Sequence, residues 1–315
     1  MNGPVVVTGA AGFIGRWVVD ELLARGYRVR GIDDLSNGSQ QNIQAFKDND
    51  DFSFTEGDVR DPNAVGKLFD DDVTACIHLA AKIDVHESLE DPQSHFETNV
   101  VGTHNVLEHC RLTDTRLALV GTCMVYDVAD ADGGIAEDHP LNPVSPYAGS
   151  KLAGEHIAES YFHGYDLPVT ILRPFNTYGP FQKTSMAGGV VSIFTKRDIE
   201  GKPLKIFGDG TQSRDLMYVT DCARFIVDAT FSDEAMGEVL NAGTGHDITI
   251  NDLASLIASD GTEIIHVEHH HPQSENQTLR CDPTKAKELL EWEAEVSLED
   301  GVTRLRSWLQ QQSVT

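Results

Sequence analysis

The chain has 315 residues, 40% hydrophobic and 23% charged, enough to bury a large core in one big domain or two smaller ones. Acidic residues number 50 against 24 basic, and the formal net charge of −26 repels nucleic acid and anionic membranes. No apolar run approaches the ~20 residues of a membrane span, and the opening MNGPVVVTGA has no basic segment leading into an apolar one, so the expected location is the cytoplasm. In chain order, PVVVT (4–8) reads as a short buried strand and GFIGRWVVDELLARG (12–26) as a helix closed by Gly26. YRVRGID (27–33) is the second strand, and FSFTEGD (52–58), ACIHLAA (75–81), RLALVGT (116–122) and PVTILRP (168–174) continue the series. Helical patterns lie between them at 61–70, 92–111 and 145–163. Beyond residue 175 the polar, glycine-rich NTYGPFQKTSMAGG leads to a helix (188–200), a strand near 204–206, a helix (219–231), a strand EVLNAG (238–243) and a closing helix (297–312).

Apolar strands alternating with amphipathic helices predict an α/β fold, a doubly wound parallel sheet covered on both faces. The expected division is a nucleotide-binding domain over 1–175, to which 215–242 returns, and a smaller, partly interleaved C-terminal substrate domain over 176–315. Ligands in such sheets bind at the carboxyl ends of the strands.

The acidic excess is mostly aspartate, 30 to 20 glutamate, which predicts a halophilic protein whose self-repulsion is screened by salt; the competing reading is an ordinary acidic enzyme. Cys76, Cys110, Cys123, Cys222 and Cys281 form no CxxC pair, the pattern of reduced thiols rather than a disulfide frame or zinc site. Adjacent residues of an extended segment point to opposite faces, so the run His269–His271 reads as a polar loop, and no metal is expected.

Gly9, Gly12 and Gly15 in TGAAGFIG follow the first strand and open the first helix. Glycine there permits a tight turn, close approach to a diphosphate and close helix–strand packing, and the helix N-terminus favours the anion. Asp33 ends the second strand, 18 positions after Gly15. A carboxylate there accepts both adenosine ribose hydroxyls and repels a 2′-phosphate, so the expected cofactor is NAD; the next residue, Asp34, offers no cation for a phosphate. In SPYAGSKLAGE, Tyr147 and Lys151 stand four apart on one helix face. Taken alone, that spacing equally describes a half-buried aromatic beside a solvated charge.

Together TGAAGFIG, DDLSNG, GDVRD, HLAA, TNVVGT, YAGSK, RPFNTYGP and GDGTQSRDLMYVTD, in this order, resemble the extended short-chain dehydrogenase/reductases of the nucleotide-sugar epimerase and dehydratase branch, over nearly the whole chain. The resemblance implies a Rossmann-type fold, NAD, a nucleotide-sugar substrate and a homodimer joined through two helices per subunit, for which 92–111 and 145–163 are the candidates, although their apolar faces serve intrachain packing equally well. It implies catalysis by Thr122, Tyr147 and Lys151. Lys151 would lower the phenol's pKa and hold the nicotinamide ribose, Tyr147 would take the proton of a sugar hydroxyl, and Thr122 would bond the reacting oxygen. Cofactor contacts implied in the same way are Gly9, Gly12, Phe13, Ile14, Gly15, Asp33, Asn37, Asp58, Val59, Leu79, Ala80, Ala81, Lys82, Asn99, Tyr147, Lys151 and Pro174. On the substrate side the matches are Thr122, Tyr147, Asn176 and Arg214, the arginine suited to forked contacts with phosphate oxygens.

Related 4,6-dehydratases carry an acid pair, or a glutamate, directly after the threonine; here VGTCMVYD places Cys123 and Met124 there. The expectation is therefore a 4-epimerase acting on a UDP-hexose. The alternatives are a 4,6-dehydratase with its acid elsewhere, an NAD(P)-linked sugar reductase, and a non-catalytic dinucleotide sensor or scaffold. The chain departs from the family's pattern at Asp127, where a glycine is usual, and in SENQTLRCDPTKA, where Gln277 and Thr278 stand near an expected arginine and Arg280 follows two positions later.

Overall fold

Which core a strand residue serves follows from its parity along the strand. The computed structural model describes residues 3–127, 133–185, 188–268 and 277–312, so the His269–His271 run lies outside the described residues. Its strands in chain order are β1 (Val5–Thr8), β2 (Val29–Asp33), β3 (Phe52–Glu56), β4 (Ala75–His78), β5 (Arg116–Val120) and β6 (Val169–Pro174). There follow β7 (Asn176–Tyr178), β8 (Leu204–Phe207), β9 (Ser213–Tyr218), β10 (Val239–Ala242), β11 (Asp247–Thr249), β12 (Ile264–Val267) and β13 (Thr278–Leu279).

The large sheet has seven parallel strands in the order β10-β6-β5-β4-β1-β2-β3, a Rossmann-type doubly wound α/β fold. Val5, Val7, Ala75, Ile77, Ala118, Val120 and Leu172 face a core shared with the helices Phe13–Ala24 and Val219–Phe231. The alternate residues Val6, Cys76, Leu117, Leu119, Val169 and Ile171 face a second core, completed by Val106, Leu107 and Cys110 of helix Gly102–Leu112 and by Ala158 and Tyr161 of helix Pro146–Tyr165. The strand order reverses between β1 and β4, which opens a crevice above their carboxyl ends.

The smaller part is built on β9, which pairs in parallel with β7 and β13 and antiparallel with β11, beside a β8–β12 pair. Tyr178, Phe194, Leu204, Ile206, Leu253 and Leu305 fill its core. The chain returns to the large sheet from Val219 to Ala242, while 213–218 forms the small sheet's central strand. Ala286 and Trp292 also pack on the first core, Trp292 edge-on to Phe225 at 5.2 Å between ring centroids.

Three strands end two to three residues earlier than their apolar runs, at Glu56, His78 and Val120, and the remainder of each run forms a loop at the crevice. The 92–111 helix is broken into Pro92–Phe96, a π-helical turn Glu97–Val101, and Gly102–Leu112. Such a turn inserts a residue without ending the helix, and it commonly marks a functional position. All five cysteines are buried and free. No helix among the described residues is long and apolar enough to cross a membrane.

Candidate active site

At the end of β1 the backbone turns back sharply, with Gly9 at φ +70°, where only glycine sits without strain. A Cβ on Gly9 would lie 2.8 Å from the backbone nitrogen of Ala80, and one on Gly15 would lie 1.9 Å from the carbonyl oxygen of Gly9. The turn therefore closes onto the β4 loop and onto the first turn of helix Phe13–Ala24, where Phe13 and Ile14 follow the N-cap Gly12, which offers no side-chain cap to the first N–H groups. This cradle, which any side chain would fill, fits a dinucleotide diphosphate.

Asp33, at the end of β2, accepts the Ala11 N–H at 3.0 Å and the Leu35 N–H at 2.9 Å. Burial pushes its carboxyl upward, opposed by those backbone donors. Asn37, four residues on, accepts from the Lys183 ammonium, which arrives from the loop after β7. Asp58 is held by Arg60, through the backbone N–H and Nε, both at 2.8 Å, and the arginine draws its carboxyl below the usual range. Val59 packs under Gly102, where a Cβ would lie 2.7 Å from its methyl group.

A chain of hydrogen bonds crosses the crevice floor. The Thr8 hydroxyl accepts the N–H groups of Leu79 and Ala80, both at 3.1 Å, so its own proton goes to His78 Nδ1 at 2.6 Å. That fixes the tautomer, and His78 Nε2 donates to Thr103 at 3.0 Å, whose hydroxyl donates to the Asn99 carbonyl at 2.6 Å. Burial holds the His78 imidazole neutral, its pKa lowered to about 3. Asn99 sits in the π-helical turn, which aims its side chain at the β4 loop. Its Oδ1 accepts the Lys82 N–H at 2.8 Å, and its Nδ2 donates to the Lys82 carbonyl and to Ser150 Oγ, both at 2.9 Å. Ser150 in turn donates to the Tyr147 carbonyl at 2.8 Å. One asparagine thus ties the half-buried segment Leu79–Ala80–Ala81–Lys82 to the helix that carries Tyr147 and Lys151.

That helix begins at Pro146, capped by Ser145 Oγ, which accepts the Ala148 N–H at 3.2 Å. Tyr147 lies one turn before Lys151, and both are nearly enclosed. Lys151 Nζ donates to the Val120 carbonyl at 2.6 Å, and burial lowers its pKa to about 8. Burial pushes the Tyr147 phenol up to about 12, while a hydrogen bond with Thr122 draws it down. Thr122 also caps the short helical turn after β5, accepting the Met124 N–H at 3.2 Å. The structure therefore brings Thr122, Tyr147 and Lys151 together at the end of β5.

On the opposite side, Pro174 closes β6 beside Ala242, and Asn176 opens β7 with its Nδ2 buried and without a partner. Arg214 stands on the adjacent β9, half-buried, close enough to Cys123 for its charge to favour the thiolate, and its Nη1 donates to the Ser213 carbonyl at 2.7 Å. Arg280 lies 4.0 Å from Asp247, on the small sheet's other edge. Asp127 is pinned by Asn142, whose Nδ2 donates to its carboxylate at 3.0 Å.

Several groups were not singled out from the sequence. Ser150 and Glu155 share the YAGSKLAGE helix and were open to the same one-turn spacing argument. Lys183 had no such signal, because its contact with Asn37 spans 146 positions.

Glycine turn, strand-end aspartate and tyrosine–lysine pair together form a site that suits a dinucleotide and an acid–base step. The family described as GDP-mannose 4,6 dehydratase matches residues 6–305. UDP-glucose 4-epimerase from Mycolicibacterium smegmatis is 37% identical over 308 residues, covering 95% of this chain and 96% of that protein. Among solved structures, Pal from Bacillus thuringiensis has a TM-score of 0.95 at 48% identity, covering 98% of this chain and 99% of that one. UDP-glucose 4-epimerase from Thermus thermophilus, in complex with NAD, has a TM-score of 0.89 at 32% identity, again covering 98% and 99%. The chain belongs to the extended short-chain dehydrogenase/reductases of the NAD-dependent epimerase/dehydratase family, and NAD is its cofactor.

Proposed function

We propose that this protein is a nucleotide-sugar 4-epimerase that inverts C4 of a UDP-hexose through a transient 4-keto sugar. The observation that carries this reading is the pair of residues after Thr122. Cys123 is enclosed and its thiol pushed up to about 12 by burial, and Met124 has no titratable group. This end of β5 offers no acid for a departing C6 hydroxyl, which dehydration requires and epimerisation does not. The enclosed carboxylate on the reaction helix, Glu155, is committed to Arg173.

In this reading Tyr147 removes the proton of the C4 hydroxyl and later returns it, Lys151 lends positive charge and holds the nicotinamide ribose, and Thr122 fixes the reacting oxygen. NAD, when bound, supplies a reversible hydride acceptor at the same carbon. Gly9, Gly12 and Gly15 cradle its diphosphate, and Asp33 takes the adenosine ribose. Asn176 and Arg214 hold the diphosphate of the sugar nucleotide, and Arg214 gives an acidic protein a local cation for an anionic substrate. The test is incubation with NAD and a panel of UDP-, GDP- and dTDP-hexoses, with products followed by NMR. A C4-inverted sugar of unchanged mass is expected. A product lighter by one water overturns the reading in favour of a dehydratase, the activity named in the matched family's description.

The working form in this proposal is a homodimer. Phe96, Val101 and Leu112 are exposed at 54%, 38% and 66%, and Val101 and Leu112 recur three helical turns apart. Tyr165 of the neighbouring helix, 58% exposed, adds to this patch through Arg111, which lies over its ring at 5.1 Å. These are the exposed apolar side chains of the two helices that a second copy would cover in the proposed dimer. Light scattering is expected to give twice the chain mass, and Phe96→Asp with Leu112→Asp to give the monomer; a monomeric wild type sinks the proposal.

The proposal also places the protein in high salt. At −26 its carboxylates repel one another, and KCl screens that repulsion. Raising KCl from about 0.1 M to about 2 M, where the Debye length falls below ~3 Å, is expected to raise Tm by several degrees. A Tm that stays level marks an ordinary acidic enzyme.

A further inference from the structure

The helix that carries Tyr147 and Lys151 holds a second charge, one turn beyond Lys151, that the proposed reaction does not use. Glu155 is 1% exposed. Its Oε2 accepts Arg173 Nη2 at 2.7 Å and Nε at 3.0 Å, an ion pair enclosed on both sides. Arg173, on β6, also donates from Nη1 to the Tyr126 hydroxyl at 2.9 Å and lies 4.8 Å above that ring. Tyr126 passes its own proton to Asn241 Oδ1 at 2.7 Å, so groups from β6, β10 and the segment after β5 fix the guanidinium.

The other carboxylate oxygen, Oε1, is buried and takes no hydrogen bond. It presses on Gly121, where a Cβ would lie 2.1 Å away. Gly121 joins β5 to Thr122, and Lys151 grips the residue before it through the Val120 carbonyl. Successive turns of one helix therefore hold successive residues of the strand end that presents Thr122.

A buried acceptor without a donor is costly, and a buried ion pair is often no more stable than well-packed apolar groups, so stability alone does not account for this arrangement. Its position does. Burial drives the Lys151 ammonium toward neutrality, and the opposing influence is the Glu155 charge. The other groups facing Lys151 do not supply one: His78 on β4 is neutral, and Tyr147 and Thr122 carry no charge until the phenol ionises. Around Glu155 stand Arg173 from β6, Lys151 and Tyr147 from its own helix, and the uncharged Gly121 from the end of β5; the same charge raises the Tyr147 phenol, so its service to the reaction runs through Lys151 and the strand end.

We propose that Glu155 is a positioning residue of the reaction centre, the fixed counter-charge that holds Lys151 as an ammonium while, with Arg173, it seats the strand end bearing Thr122 against the helix bearing Tyr147. The inference rests on the proposed roles of Tyr147 and Lys151 and deepens them.

The experiment is ¹³C NMR of the NAD-loaded protein labelled at lysine Cε, with Lys151 assigned by the signal lost in Lys151→Arg. In Glu155→Gln the Lys151 titration midpoint is expected to fall by about 1 to 3 pH units. In Glu155→Asp, which keeps the charge, it is expected to stay near wild type. At neutral pH, kcat of Glu155→Gln falls while the sugar-nucleotide KM is unchanged. A folded Glu155→Gln with reduced Tm and an unmoved Lys151 midpoint overturns the proposal, because a merely structural residue behaves that way. Should the lone buried Arg173 prevent folding, Glu155→Gln with Arg173→Met is read against Arg173→Met alone, so that the Glu155 charge is the only difference between the two midpoints. The titration needs no sugar substrate. Activity surviving in Tyr147→Phe would refute the catalytic reading separately.

Discussion

Replacing Tyr147 with phenylalanine is expected to lower kcat by about 10²- to 10⁴-fold while NAD affinity and Tm stay close to wild type. The substitution removes one oxygen and keeps the ring, which packs edge-on to His95 at 6.5 Å between centroids. In the proposed reading, what is lost is the acid–base group itself. Burial pushes the phenol up to about 12, where about one molecule in 10⁵ would be ionised at pH 7, so the base depends on what opposes burial. The hydrogen bond with Thr122 favours the phenolate, while Cys123 and the Glu155 charge oppose it; in the proposed reading the Lys151 ammonium and, once NAD is bound, the positive nicotinamide ring would add to the first influence. The sign of the pH dependence follows. Raising the pH ionises Tyr147 and raises kcat, until Lys151 loses its proton through about 8 and the phenolate loses its cation. The profile should therefore be a bell whose alkaline limb belongs to Lys151. Lys151→Met should abolish that limb and weaken NAD binding, which Tyr147→Phe does not. If Tyr147→Phe retains more than about a tenth of kcat, the proton leaves by another route.

Those residues were legible in the sequence because their geometry is local. A glycine turn is dictated by backbone sterics over seven residues, and the Tyr147–Lys151 pair by the helical repeat. The same repeat extends to Glu155, but its partner Arg173 lies 18 positions away on β6, and only the parallel register beside β5 brings it near. Asn99 shows a different limit. Apolar periodicity reads 92–111 as one helix, and a π-helical turn leaves that pattern nearly intact while rotating the asparagine toward Lys82. In β9, Arg214 and Asp215 lie side by side, and Asp215 is buried because it accepts the N–H groups of Thr244 at 2.8 Å and Gly245 at 2.9 Å. A strand with a fully buried aspartate does not read as one from alternation, since the carboxylate occupies a position the pattern reserves for an apolar side chain. The segment was thus recognisable as a motif and not as the central strand of the small sheet.

Gly15→Ala should cost NAD binding more than any other single methyl group added to the glycine turn. The new Cβ would stand 1.9 Å from the Gly9 carbonyl oxygen and 2.8 Å from its carbon, and both are backbone, so no side-chain rotation relieves the clash. Nor can the Gly9 carbonyl move freely, for it accepts the Gly12 N–H at 3.0 Å and closes the turn. The strand end and the helix must part, and with them the N–H groups proposed to receive the diphosphate. Overpacking of this kind costs about 1–3 kcal/mol or more, a fall in Tm of roughly 2–10 °C for a chain of this size. Gly12→Ala should be milder, since its Cβ meets the same oxygen at 3.1 Å. Gly164→Ala is the control: it lies in a helix, no atom stands within 4 Å of its Cβ, and alanine there should raise stability by about 0.4–1 kcal/mol with NAD affinity unchanged. Calorimetric titration with NAD and scanning calorimetry of the three variants separate the two effects. An affinity that falls in the order Gly164→Ala, Gly12→Ala, Gly15→Ala ties binding to the closure of the turn. Wild-type affinity in Gly15→Ala would instead mean that the diphosphate is held away from this helix end, with Asp33 and the Asn99 clamp carrying the cofactor without it.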